Sequence, residues 1–199
     1  MTLVFASANE HKIKEISSIL GRRLSLMSLR DVNISEDIPE NEPTLEGNAL
    51  EKARYVHRRT GLNVFADDTG LEVEALDGKP GVHSARFAGE SKDPSANIVK
   101  LLSLLSGNIN RKARFRTVIA LIIDNREFLF EGIVEGKIID EKRGSDGFGY
   151  DPVFIPEGRE KTFAEMPLDE KNTISHRARA FNKLKLFLSD YDEDNKERE

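Results

Sequence analysis

The 199-residue chain has no cysteine and no tryptophan. Without cysteine there is no disulfide framework, no thiolate nucleophile and no thiolate metal site. No apolar run approaches the roughly 18 residues needed to span a bilayer. The opening Met1-Thr2-Leu3-Val4-Phe5 runs into a strand-like segment and lacks the charged, apolar and cleavage regions of a signal peptide. A cytoplasmic location without a membrane partner is therefore expected. An excess of positive charge is also missing. Thirty Lys and Arg against 35 Asp and Glu give a net charge of −5, which argues against a nucleic-acid partner bound by phosphate neutralisation. A local basic pocket remains compatible with that balance. What is present, 38% hydrophobic and 33% charged residues, describes a globular chain long enough to bury a real core. A single domain over 1–190 is expected, with the nearly all-charged stretch 191–199 as a C-terminal tail.

The most informative stretch is Val64-Phe65-Ala66-Asp67-Asp68-Thr69-Gly70. Three apolar residues read as a short buried strand, followed by two carboxylates, a hydroxyl and a glycine able to turn the chain. Open α/β folds place ligands at the ends of such strands. Two adjacent carboxylates repel one another, and a hard divalent cation would relieve that repulsion. An ordinary Asp-Asp-x-Gly turn fits these seven residues equally well.

Leu3 to Ala6 reads as a first strand, Ser7-Ala8-Asn9 as cap-type residues, and Ile13 and Ile16 as part of a helical stripe. His11 and Lys12 then fall in the helix's first turn, where cations oppose the macrodipole unless a phosphate is bound there. A solvated lysine is the simpler reading of Lys12 alone. Residues 22–43 look irregular or contain short strands, with an acidic, solvated run from Ser35 to Pro43. Thr44 caps a helix from Leu45 to about Arg59 that Gly61 ends, and Asn48 and Lys52, four apart, share one face. Leu71 to Leu76 alternates like a half-exposed strand, and Asp93-Pro94 opens a helix with Ile98, Leu101 and Leu105 buried. Ala113–Leu121 and Phe128–Ile139 flank Asp124-Asn125 as an antiparallel pair, so the sheet is mixed.

The loop Gly144–Pro152 is rich in turn residues; Phe148 and Tyr150 offer faces for a base or plug the core. Ser175 caps the last helix, with His176 and Arg177 in its first turn and Lys171 upstream. Cations at two helix starts in an acidic chain suggest an anionic ligand, and the carboxylates beside them suggest a metal–triphosphate site.

Five segments match one known pattern in order: Ser7-Ala8-Asn9-Glu10-His11-Lys12, Ala66-Asp67-Asp68-Thr69-Gly70-Leu71, Gly78 to Phe87, Gly147-Phe148-Gly149-Tyr150-Asp151-Pro152 and Ser175-His176-Arg177. Over about residues 3–188 the chain resembles the inosine triphosphate pyrophosphatase family. The resemblance implies an α/β fold with a long mixed central sheet, flanking helices and two lobes around a nucleotide cleft. It also implies a homodimer using Mg²⁺ to hydrolyse the α–β phosphate bond of inosine, deoxyinosine and xanthosine triphosphates. The products are the monophosphate and pyrophosphate, and the role is to clear deaminated purines.

By position, the resemblance makes Ser7, Ala8, Asn9, Glu10, His11 and Lys12 the phosphate-binding turn and helix start, with Ala8 where many relatives have glycine. Asp68 is the proton acceptor and a metal ligand, and Thr69 a substrate-contacting hydroxyl. Phe148, Gly149, Tyr150 and Asp151 form the base loop. Lys171, His176 and Arg177 are the remaining substrate contacts, and Asn48 and Lys52 lie on a helix facing the phosphates. Glu40 is assigned as the second acidic metal ligand, with Glu36 and Glu42 near enough to compete. Discrimination is expected at the purine 6-position, where Arg177, His176 or a backbone N–H donates to an oxo group that adenine lacks. A pyrophosphatase for pyrimidine or other modified nucleotides, and a nucleotide sensor without turnover, are the rival readings.

Overall fold

The computed structural model describes residues 2–20 and 25–196, without the side chains of Ser17, Ile19, Leu20 and 192–196. Its strands and helices follow in the order β1 (Thr2–Phe5), α1 (Glu10–Leu20), β2 (Ser25–Met27), α2 (Leu45–Thr60), β3 (Val64–Val73), β4 (Pro80–Gly81), α3 (Pro94–Leu104), β5 (Lys112–Ile123), β6 (Arg126–Ile138), β7 (Phe154–Pro156), α4 (Leu168–Ile174) and α5 (His176–Lys196). The stretch 22–43, expected to be irregular or to contain short strands, begins outside the described residues and then contains the short β2 and a 3₁₀ turn at Arg30–Val32. Of the charged stretch at the C-terminus, residues 191–196 continue α5, while 197–199 lie outside the described residues.

Local chemistry accounts for the main boundaries. The Thr44 hydroxyl accepts from Gly47 N–H at the start of α2, and Gly61 closes it in the left-handed region at φ 68°. Asp93 caps α3, with Pro94 in its first turn. Asp124 and Asn125 join β5 to β6 with φ of 49° and 59°, both left-handed, as a two-residue hairpin turn requires.

The strands form one mixed sheet in the order β2-β1-β3-β5-β6-β7. β2, β1 and β3 run parallel, while β3, β5, β6 and β7 are successively antiparallel. The α/β architecture with a long mixed sheet is as expected from the sequence. Val64, Ala66, Val118 and Ala120 bury one face under Ala49, Ala53 and Val56 of α2. Phe65, Ile119 and Leu121 bury the other against Ile16 of α1 and Phe181 and Leu184 of α5. Further along β3, Leu71 and Val73 join a third cluster with Phe115, Tyr150, Phe154 and Phe163.

Two expectations about β3 are corrected. The strand does not end at the carboxylates; it runs ten residues, so Asp67 and Asp68 lie mid-strand, and Glu74–Leu76 is a 3₁₀ turn rather than a continuing strand. Gly70 does not turn the chain. It lets β4 approach, because a Cβ there would sit 2.6 Å from the Gly81 carbonyl oxygen. Both faces of the strand are covered, so its apolar residues show no alternation from which its length can be read.

β3 is paired along its whole length with β5 on one edge. The other edge is shared: β1 pairs with Val64 and Phe65, and β4 with Leu71 and Glu72. The intervening edge, at Ala66 to Gly70, has no strand partner among the described residues. A split in the sheet therefore opens beside the two carboxylates.

The start of α5 is seated directly on β6. A Cβ on Gly132 would lie 2.0 Å from the His176 carbonyl oxygen and 2.5 Å from the Ala180 nitrogen. Gly132→Ala should therefore force α5 off the sheet, lowering stability by about 2 kcal/mol or more in denaturant unfolding. It should also reduce turnover, since the displaced turn carries His176 and Arg177. Unchanged stability and turnover would mean the helix does not need this close approach.

Candidate active site

A cleft of about 540 Å³ opens at the split, lined from both faces of β3 by Asp68, Thr69, Gly70 and Leu71. Adjacent residues of a strand point to opposite faces. Asp67 accordingly faces α1 and α5, and Asp68 faces α2. The two carboxylates do not confront each other, and the expected mutual repulsion gives way to separate partners on each side.

On the α1/α5 face, Asp67 is fully buried. Its Oδ2 meets Lys12 Nζ at 3.0 Å and Arg177 Nε at 3.4 Å, and accepts from Thr69 Oγ1 at 3.3 Å. Burial acts to raise its pKa, but the charges of Lys12, Arg177 and Lys52 hold it well below the ordinary carboxylate range. Lys12 comes from the first turn of α1, whose start is capped by Asn9 Oδ1 accepting from His11 N–H and Lys12 N–H. Burial, with Lys52 and Arg177 nearby, keeps the Lys12 ammonium below its usual pKa despite Asp67.

A second buried carboxylate, Glu15 of α1, completes this network. It accepts from Lys171 Nζ at 2.7 Å and pairs with Arg177 Nη1. Lys171 also bonds Asp151 Oδ2 at 2.7 Å, and the same oxygen accepts from Phe148 N–H at 2.8 Å. Burial raises the Asp151 pKa in spite of Lys171. Gly147 has φ 73°, and a Cβ there would meet Asp151 Oδ2 at 2.2 Å, so glycine lets the loop close over this carboxylate.

On the α2 face, Lys52 Nζ bridges Asp68 Oδ1 at 3.1 Å and Glu40 Oε1 at 2.7 Å. Asn48 donates to Asp68 Oδ2 at 3.2 Å and accepts from Glu42 N–H at 2.9 Å, tying the acidic loop to the strand. Burial tends to lower the Lys52 pKa, but Asp68 and Glu40 raise it overall; Glu40 is held below the usual range by Lys52 against its own burial. Among the described residues no three His, Asp or Glu side chains gather as a metal cluster. The convergent acidic groups are Glu40 and Asp68, two hard oxygen donors reaching one cationic centre.

The other end of the cleft is aromatic. Phe148 stacks on His11 with ring centroids 5.2 Å apart, and Lys171 Nζ and Arg177 Cζ lie 5.3 and 5.4 Å from its ring centre. His176 stacks on Phe115 at 4.6 Å. Burial, then Arg177 and Lys171, drives its pKa well below the usual value, so the imidazole is neutral at pH 7 rather than the cation read from the sequence. Its Nδ1 is buried and has no hydrogen-bond partner among the described residues. Tyr150 lines the cleft, but its hydroxyl donates to the Ser84 carbonyl at 2.9 Å and its ring belongs to the third core cluster.

Of the residues named from the sequence, Ser7, Ala8, Asn9, His11, Lys12, Glu40, Lys52, Asp68, Thr69, Phe148, Gly149, Tyr150, Asp151, Lys171, His176 and Arg177 all line this one cleft. Glu10 and Asn48 do not; Asn48 sits behind Asp68 as its hydrogen-bond donor. Glu36 reaches the cleft as well, whereas Glu42 does not. Glu15 was missed by sequence reasoning, and Ser84 and Arg86 fell inside the Gly78 to Phe87 motif without a role assigned to either. Glu15 carried one usable signal, a carboxylate beside Ile16 in the stripe that α1 buries.

The Ham1 family model matches residues 3–187. A dITP/XTP pyrophosphatase of Porphyromonas gingivalis is 58% identical over 187 residues, 94% of this chain and 96% of that protein. One of Flavobacterium johnsoniae is 53% identical over 184 residues, 92% of this chain and 96% of that protein. The solved Ham1 protein of Staphylococcus aureus superposes with a TM-score of 0.88 at 39% identity, covering 96% of this chain and 100% of that one. The resemblance carried by the five motifs is borne out, and the chain belongs to the Ham1 family.

Proposed function

We infer that this chain is a pyrophosphatase that hydrolyses inosine, deoxyinosine and xanthosine triphosphates to the monophosphate and pyrophosphate. The observation that carries this reading is the polarity of the cleft. Glu40 and Asp68 with Lys52 line one side of the cleft and the Phe148 ring with Lys171 and Arg177 the other, while Lys12 meets Asp67, which Arg177 also touches. A triphosphate needs the first environment and a purine the second. The relatives named above as dITP/XTP pyrophosphatases support the substrate class.

The Glu40 and Asp68 carboxylates suit Mg²⁺, because both already reach one cation, the Lys52 ammonium, with hard oxygen donors. Bound there with the triphosphate, the metal would neutralise phosphate charge and polarise the phosphorus–oxygen bonds. Asp68 orients a water and accepts its proton as the water oxygen bonds the α-phosphorus. The bond to the α–β bridging oxygen breaks, and pyrophosphate leaves with that electron pair. Asn48 fixes the Asp68 rotamer through Oδ2. Lys12 and Lys52 offset the charge growing on the leaving group. At the base end, Lys171 and Arg177 are donors held beside Phe148, suited to a 6-oxo oxygen; an adenine amino group leaves such a donor unpaired. The same reading carries a homodimer and a cytoplasmic location as part of the proposal.

Pyrophosphate release should be measured from a panel of purine and pyrimidine triphosphates, with Mg²⁺ and with a chelator. Turnover is expected for the deaminated purines, with little for adenosine or pyrimidine forms, and it should be lost on chelation. Preference for a pyrimidine triphosphate, or tight inosine triphosphate binding without release, would overturn the reading. Arg177→Lys retains a charge between Glu15 and Asp67 but loses the guanidinium fork. It should narrow the inosine-to-adenosine ratio of kcat/KM by about tenfold. An unchanged ratio would move discrimination to other groups.

A further inference from the structure

The acidic strap over residues 36–42 carries Glu40, and α2 ties it down from one side. Asn41 N–H donates to Glu51 Oε2 at 2.8 Å, Glu42 N–H to Asn48 Oδ1 at 2.9 Å, and the Tyr55 hydroxyl to Glu36 Oε1 at 2.9 Å. Arg86 reaches the same strap from the opposite wall of the cleft, its Nη2 donating to the Glu40 main-chain oxygen at 3.2 Å. The 3₁₀ turn that bears it, Ser84–Arg86, is firmly mounted. Ser84 Oγ accepts from Leu71 N–H at 2.8 Å and donates to the Gly81 carbonyl at 2.6 Å, and the Ser84 carbonyl accepts from the buried Tyr150 hydroxyl. Arg86 thus extends from the turn that follows β4, anchored where β4 pairs with β3, to the peptide of Glu40.

We propose that Arg86 is a positioning residue that holds the acidic strap across the cleft, keeping the Glu40 carboxylate opposite Asp68. The inference deepens the proposed function and rests on it in one respect, the role of Glu40 toward the metal. The tether itself does not depend on that role. The strap carries Glu36, Asp37, Glu40 and Glu42 in seven residues, and such a run repels itself toward an extended, solvated form. α2 hydrogen bonds fix its back. A guanidinium on the other wall fixes the one carbonyl next to the functional side chain and adds positive charge there. A group that orients a ligand in this way typically changes metal affinity by about 10- to 100-fold when removed.

The test compares Arg86→Met and Arg86→Lys with the parent, first by hydrogen exchange without metal or nucleotide. Arg86→Met should speed exchange in the 36–43 segment at least about fivefold, leaving α2 and β3 unchanged, with Arg86→Lys in between. The Mg²⁺ concentration giving half-maximal pyrophosphate release from inosine triphosphate should rise about tenfold in Arg86→Met, with KM at saturating Mg²⁺ nearly unchanged. Unaltered strap exchange overturns the proposal. A raised KM at saturating Mg²⁺ with an unaltered strap does so too, by making Arg86 a direct phosphate contact. Glu40→Gln, measured alongside, separates the two layers. If it leaves the Mg²⁺ dependence untouched, the metal role of Glu40 fails, and the exchange comparison alone decides the tether.

Discussion

The structure depends on the pleat of one strand. Asp67 and Asp68 are neighbours in sequence, and the period of two in β3 sends them to opposite sides of the sheet. A buried carboxylate is tolerated only when it is paired and hydrogen-bonded. Each of these two therefore demands cationic partners, and different helices supply them. Lys12 and Arg177 arrive on the first turns of α1 and α5, and Lys52 arrives on α2. Two adjacent charges thus fix the placement of three helices around the point where the sheet edge is left open.

The division has a chemical consequence. Asp67 is sealed, held below the ordinary carboxylate range and bound to Lys12 and Arg177 through Oδ2, which suits it to hold cations in place rather than to take up a proton. Asp68 lines the cleft, and its partners Lys52 and Asn48 leave it facing the space a triphosphate needs. In the proposed reaction the first carboxylate builds the cationic wall and the second works on water. Glu15 does for Lys171 and Arg177 what Asp67 does for Lys12, so the donors beside Phe148 are fixed before any nucleotide arrives. Such preorganisation is where most electrostatic catalysis and discrimination originate.

The sequence disclosed these features unevenly. The helix between Thr44 and Gly61 and the hairpin around Asp124-Asn125 were legible because capping and left-handed turn chemistry are local. The cleft residues were legible because five short motifs occur in one order. The faces taken by Asp67 and Asp68 were not, since a strand covered on both sides shows no alternation from which to count. Lys12, His176 and Arg177 read as unpaired cations inviting a polyanion. The structure pairs Lys12 and Arg177 with carboxylates far away in sequence and leaves His176 neutral between aromatic rings. Glu15, and the contact that Arg86 of the Gly78 to Phe87 motif makes with Glu40, stayed hidden for the same reason: each residue acts through a partner that no spacing rule connects to it.

The central claim is that the two neighbouring carboxylates do separate jobs. The direct measurement is unfolding free energy and turnover of inosine triphosphate for Asp67→Asn and Asp68→Asn side by side. Asp67→Asn should cost about 3 kcal/mol or more of stability, because it strips the buried Lys12 of its anion and leaves Arg177 with Glu15 alone. Asp68→Asn should cost less stability, because Lys52 keeps Glu40, and should still bind nucleotide, with turnover down by about 10²- to 10⁴-fold. Equal losses in both quantities for the two variants, or normal turnover in Asp68→Asn, would contradict the account.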